Sequence, residues 1–110
     1  MKMTDSAMEW LSDTALEDVL VLPGATLVVF TANWCAPCQA LIPRLERVIE
    51  RHAARCRCYL IDIDQYPEAT HKYNVRGMPT LFMFVDGDLE ASRVGAVNEE
   101  QLEALIMSTL

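Results

Sequence analysis

The chain holds one constellation with evident chemistry: Cys35 and Cys38, three apart in "NWCAPCQAL". Thiols at that spacing can clamp a metal, form a structural disulfide, or cycle between dithiol and disulfide. Other candidates are thinner. Asp62 and Asp64 lie two apart, but two carboxylates without further ligands read as ordinary polar strand ends. His52 reads as a helix-end residue and His71 as a solvated one. Cys56 and Cys58 are the remaining sulfurs, and their meaning depends on where the chain puts them.

Strand and helix periods alternate along the chain, with no repeat, linker or low-complexity tract. Residues 7–11 suggest a short edge strand. Ser12 or Asp13 can cap a helix carrying Leu16, Val19 and Leu20, which Pro23 and Gly24 stop. Residues 26–32, "TLVVFTA", form a continuous β-rich apolar run, as in a strand buried on both faces. From Ala36 to about His52 the period is helical. Leu41, Leu45, Val48, Ile49 and His52 share one face, and Arg44, Arg47, Glu50 and Arg51 lie largely opposite. Pro43 inside that helix removes a hydrogen bond and should kink it. Residues 56–64 predict a strand, and 67–74 a short helix opened by Pro67. Residues 80–85 and 89–95 predict a hairpin around "DGD". Asn98 and Gln101 form a capping-box pattern for a last helix with Leu102, Leu105 and Ile106 inward. The order is βαβαβ followed by ββα, an α/β fold with a central mixed sheet flanked by helices on both faces.

That order decides among the roles open to the thiols. Strands 26–32 and 56–63 run parallel if the crossover is right-handed, so Cys35 lies past the C-terminal end of one and Cys56 begins the other. The two ends are roughly 20 Å apart at ~3.3 Å per residue, too far for four sulfurs to share a metal. Cys56 and Cys58 point the same way from one strand with Cα atoms about 6.6 Å apart, which suits packing better than a disulfide. Cys35 instead falls at a helix N-terminus, where free N–H groups and the macrodipole favour a thiolate. Cys38 is one turn on, within reach for a small-ring disulfide, and Pro37 stiffens that ring without removing a needed hydrogen bond.

Composition bounds the setting. With 110 residues the chain is expected to form a single domain over 1–110, long enough to bury a core without disulfide staples. The hydrophobic share of 52% and charged share of 23% fit a soluble globular protein. A net charge of −7 argues against nucleic acid and anionic membrane surfaces as partners. No apolar stretch approaches the ~20 residues of a membrane span. The first ten residues lack the apolar region of a signal peptide, so the expected location is cytoplasmic, where structural disulfides are rare.

"WCAPC" (34–38), "IDIDQYP" (61–67), "VRGMPT" (75–80), "VDG" (85–87) and "RVGA" (93–96) together resemble the thioredoxin family, in the family's order and over essentially the whole chain. Ala36 replaces the motif's usual glycine. The resemblance implies the thioredoxin fold, a cis peptide bond before Pro79, and disulfide exchange in which Cys35 attacks and Cys38 resolves. It implies protein disulfides as substrates, a thioredoxin-reductase-like electron donor, a monomer, and neither cofactor nor metal. Trp34, Ala36, Pro37, Met78, Pro79 and Gly95 would form the substrate groove, with the Met78 backbone free to pair with an extended segment.

Two departures bear on the chemistry. Val29 stands where the family usually carries a buried aspartate, six residues before the first cysteine, and Leu60 where a lysine often accompanies it. Thr31 replaces a frequent second tryptophan. The expectation is a protein-disulfide reductase slowed by the loss of the buried acid. The competing reading is an interaction module that grips a partner through Trp34, Met78 and Gly95 and hardly turns over.

Overall fold

The structure, a computed structural model, describes residues 8–110. Its elements are β1 (Met8–Trp10), α1 (Asp13–Leu20), β2 (Ala25–Thr31), α2 (Ala36–His52), β3 (Cys56–Asp62), α3 (Pro67–Lys72), β4 (Thr80–Val85), β5 (Asp88–Val94) and α4 (Glu99–Met107). The edge strand expected at 7–11 is β1; residue 7 lies outside the described residues.

β2 explains the sheet. Every one of its residues is buried, because β3 pairs with it in parallel on one side and β4 antiparallel on the other. A strand covered on both faces needs apolar side chains at odd and even positions alike, hence the unbroken run. β1 extends the parallel side beyond β3, and β5 the antiparallel side beyond β4, giving the order β1-β3-β2-β4-β5. Alternation along β2 sends Ala25, Leu27 and Val29 to a core shared with Leu41 and Leu45 of α2 and Leu102 and Ile106 of α4. Val28 and Phe30 face the opposite core, with Leu16 and Leu20 of α1 and Ala69 of α3. Helices therefore cover both faces.

Three helices, α1, α2 and α4, start where a side chain supplies a cap, whereas α3 opens on Pro67 without one. Ser12 accepts from the Ala15 N–H at the head of α1. The capping box of α4 forms in both directions between Asn98 and Gln101. α2 is continuous through Pro43. His52 is buried at its end and meets the Glu103 carboxylate on α4 through Nε2. The β4–β5 hairpin turns on Asp86 and Gly87, both at positive φ, the conformation a two-residue primed turn demands.

β3 stops at Asp62, short of the predicted 64, because the Asp62 carboxylate turns back to accept the Asp64 N–H at 2.9 Å. α3 stops at Lys72 rather than 74, with Asn74 in the left-handed region at φ 55°. Among the described residues no helix is long and apolar enough to cross a membrane.

Candidate active site

The dithiol lies where β2 hands over to α2. Cys35 is the N-cap of α2, in extended conformation, and its sulfur accepts the Cys38 N–H at 3.2 Å. A thiol thus does what a serine oxygen does at an ordinary helix start, and the same N–H groups that need an acceptor stabilise negative charge on sulfur. No acid sits in the first turn of α2 to oppose that charge. Cys35 and Cys38 are joined as a disulfide with Cα atoms 5.2 Å apart. Cys38 is fully buried, while Cys35 keeps a sliver of exposure. Both pack with Ala32, Ile63 and Met78.

The groove residues expected from the sequence converge on this point. Trp34 is 67% exposed, and Ala36 and Pro37 are exposed beside it. Met78 is half-buried against the dithiol cluster and precedes a cis peptide bond to Pro79, as the resemblance implies. Gly95 donates its N–H to the Pro79 carbonyl at 2.8 Å, joining the loop before β4 to the end of β5. Its φ of 96° is a conformation that side chains oppose. Gly77 is needed for space instead: a Cβ there would lie 2.6 Å from Val94 Cγ1.

Two features of the site go beyond the sequence reading. Asp64, read as an ordinary strand end, accepts the Trp34 indole N–H at 2.9 Å and so fixes the exposed ring. Asp62 is buried at the last rung of the β2–β3 pair, opposite Thr31. The available signal was topological. Residues just past the ends of two adjacent parallel strands share one rim of the sheet, whatever their separation in sequence.

The apolar substitutions stand together as well. Val29 and Leu60 are Cα partners in the parallel register and both are buried in the core under α2. Cys56 and Cys58 are free and buried in the same core, with Cys56 opposite Ala25 at the start of β2, the end remote from the dithiol. Burial pushes the Cys56 thiol up to about 11, with a Leu27 backbone hydrogen bond and the Arg57 charge opposing, and pushes Cys58 up as well. Neither is poised as a thiolate. Among the described residues no cluster of His, Cys, Asp or Glu could hold a metal. An open concavity of about 550 Å³ lies elsewhere, against α1 and α3, lined by Thr14, Glu17, Glu68, His71 and Lys72.

Comparison with known proteins gives one answer. The family model described as Thioredoxin matches residues 8–108. A thioredoxin from Acidithiobacillus ferridurans is 40% identical over 109 residues, covering 98% of this chain and all of that one. One from Pseudomonas aeruginosa is 36% identical over 106 residues, covering 96% of this chain and 92% of the relative. Among solved structures, a mutant thioredoxin from Halobacterium salinarum NRC-1 aligns with a TM-score of 0.85 at 34% identity, covering 94% of this chain and 92% of that one.

Proposed function

Since this chain belongs to the thioredoxin family and is a thiol–disulfide oxidoreductase acting through its Cys35–Cys38 pair, we propose that Cys35 is the attacking thiol and Cys38 the resolving one. The observation that carries the assignment is the hydrogen bond from the Cys38 N–H to the Cys35 sulfur at the head of α2. It favours the thiolate at Cys35, the nucleophile and leaving group that exchange requires.

In the reduced protein the Cys35 thiolate attacks one sulfur of a substrate disulfide. The substrate S–S bond breaks, its far sulfur leaves as a thiolate, and a mixed disulfide holds the substrate on Cys35. Cys38 loses its proton and attacks the Cys35 sulfur, forming the intramolecular disulfide and releasing the second substrate thiolate. Two electrons pass from the dithiol to the substrate, and a reductase-type donor must return two to restart the cycle.

The substrate is an extended segment of a protein, seated on Trp34, Ala36, Pro37, Met78, Pro79 and Gly95. The exposed indole and the small residues beside the dithiol support this reading, since apolar surface around a buried reactive atom suits a chain laid across it. The protein acts as a single-domain monomer in the cytoplasm. Its net charge of −7 supports neither nucleic acid nor an anionic membrane surface as partner.

Reduction of insulin by dithiothreitol tests the function. Wild type should accelerate precipitation of the insulin B chain, and the Cys35→Ser/Cys38→Ser variant should not. Equal rates would favour a binding module. A Cys38→Ser variant should trap substrates on Cys35 as mixed disulfides; trapping through Cys38 in the Cys35→Ser variant instead would reverse the roles.

A further inference from the structure

We propose that Arg44 is a positioning residue for the substrate groove. By holding the Val97 carbonyl, its guanidinium sets the wall that carries Gly95 relative to the helix that carries the dithiol. This deepens the reading above and rests on Gly95 lining that groove.

Cys35 and Arg44 belong to one rigid element. Cys35 caps α2, and the helix runs unbroken through Pro43 to Arg44 and beyond. At ~1.5 Å per residue the two lie roughly 13 Å apart along the axis. Arg44 is half-buried, and its Nη1 donates to the Val97 carbonyl at 3.0 Å. Val97 ends the short loop that leads from β5 to the cap of α4. At the other end of that loop the Gly95 N–H bonds the Pro79 carbonyl at 2.8 Å. One end of the loop is therefore tied to the segment before β4, and the other to α2. Among the described residues the Arg44 bond is the only hydrogen bond between this loop and α2.

The bond belongs to a polar seam. Arg44, Arg47 and Arg51 stand at i, i+3 and i+7 of α2, which puts them along one face of the helix. Arg47 donates to Glu99 and Arg51 to Glu103, both on α4 and both at exposed sites. Pairs of that kind are screened by salt and contribute little each. Arg44 differs in partner and in setting. Among the described residues it has no carboxylate partner, and its bond to the Val97 carbonyl is partly buried. The N–H of the same peptide unit, that of Asn98, bonds Gln101 Oε1 within α4. Gln101 thus ties this peptide to its own helix, and Arg44 alone ties it to the helix of the dithiol.

The loop has little packing to hold it otherwise. Val97 is buried in the core, but Ala96 is exposed, and a Cβ at Gly95 would meet nothing within 4 Å. Burial of Val97 keeps the loop down on the core without fixing where its carbonyl points. A substrate laid in the groove meets the head of α2 on one side and Gly95 on the other. A loop free to shift against α2 would have to be ordered by the substrate, at a cost to binding rather than to the sulfur chemistry.

Four variants test this, each established as folded by circular dichroism. Arg44→Met keeps the apolar stem and removes the donor, and Arg44→Lys returns a cationic donor. Arg47→Met removes the neighbouring member of the seam, which ties α2 to α4 and not to the loop. Trp34→Ala probes the groove itself. Insulin reduction with dithiothreitol as electron donor gives KM and kcat. Stopped-flow release of the first thiolate from a symmetrical aryl disulfide reports attack by Cys35 on a substrate too small to need the groove. Amide exchange followed by NMR reads the Gly95 N–H. Arg44→Met should raise KM for insulin about two- to tenfold, the worth of one net hydrogen bond, with kcat and the aryl disulfide rate unchanged. The Gly95 amide should exchange about two- to tenfold faster in the same variant. Arg44→Lys should restore both values, and Arg47→Met should alter neither. An unchanged KM in Arg44→Met, or an equal rise in Arg47→Met, would overturn the proposal. A raised KM with Gly95 exchange unchanged would overturn it too, because Arg44 would then act by touching the substrate. If Trp34→Ala raises KM and Arg44→Met does not, only the role of Arg44 falls. If neither raises it, the groove reading falls and takes this proposal with it.

Discussion

Trp34 donates its indole N–H to the Asp64 carboxylate at 2.9 Å, so the most exposed ring beside the dithiol is held by a residue from the neighbouring strand's far end. An exposed tryptophan without such a tether would sample several rotamers, and a substrate would have to order it on binding. Asp64→Ala should therefore raise KM for a protein disulfide two- to tenfold while leaving attack on a small aryl disulfide nearly unchanged. Steady-state kinetics with both substrates check this. Fluorescence anisotropy in a Trp10→Phe background, where Trp34 is the sole indole, should fall.

Alkylation should distinguish the two thiols of the reduced protein. Cys35 caps α2 and keeps slight exposure, whereas Cys38 is fully buried one turn in. Limiting iodoacetamide near neutral pH should label Cys35 first, read by peptide mass mapping. Preferential labelling of Cys38 would contradict the role assignment.

Val29→Asp places a carboxylate in the core under α2, beside Leu60. An unpaired buried charge costs several kcal/mol, and a domain of this size loses ~4–8 °C per kcal/mol. The melting temperature should drop by roughly 10 °C or more. In the protein that remains folded, the new carboxylate should speed resolution of the mixed disulfide by Cys38 near pH 7. Thermal unfolding, and stopped-flow release of the second thiolate from a symmetrical aryl disulfide, read the two effects. An unchanged rate would mean that position 29 does not reach Cys38.

Cys56 and Cys58 should be dispensable for turnover but visible in alkali. Burial holds the Cys56 thiol neutral up to about 11, against an ordinary value of 9.0. The unfolded chain gives up that proton first, so the folded state holds more protons between these values. The contribution is complete below about pH 9 and is lost as pH rises towards 11. Cys56→Ala/Cys58→Ala should keep reductase activity, lose some stability at pH 7 from the cavities, and show a flatter decline of melting temperature between pH 9 and 11. Tyr73, raised to about 12 by burial and by its hydrogen bond to Glu17, adds its own loss above pH 10 in both proteins.

What the sequence revealed and what it hid divide along chain separation. The dithiol, the cap at Cys35 and the helix faces are written in neighbouring residues, and the structure reproduces them. The buried strand β2 was readable because an unbroken apolar run has few other uses. Asp64 was misread because its partner is Trp34, and only the parallel register of β2 and β3 brings the two strand ends to one rim. Asp62 does end its strand, as expected, but its burial was hidden for a related reason: alternation predicts which face a residue takes, not whether the end of that face is covered. The burial of His52 followed from its helical face, whereas its contact with Glu103 depends on how α4 lies across α2.

The bond from Gly95 to Pro79 ties the proposed substrate groove to a segment made long after the dithiol. During synthesis Cys35 and Cys38 emerge from the ribosome while the loop before β4 and the end of β5 are still unmade. At that stage the chain carries reactive sulfur without the proposed groove beside it. A polypeptide halted before β5 should exchange disulfides indiscriminately with its neighbours. If the groove selects substrates as proposed, selectivity is acquired late in the protein's own making.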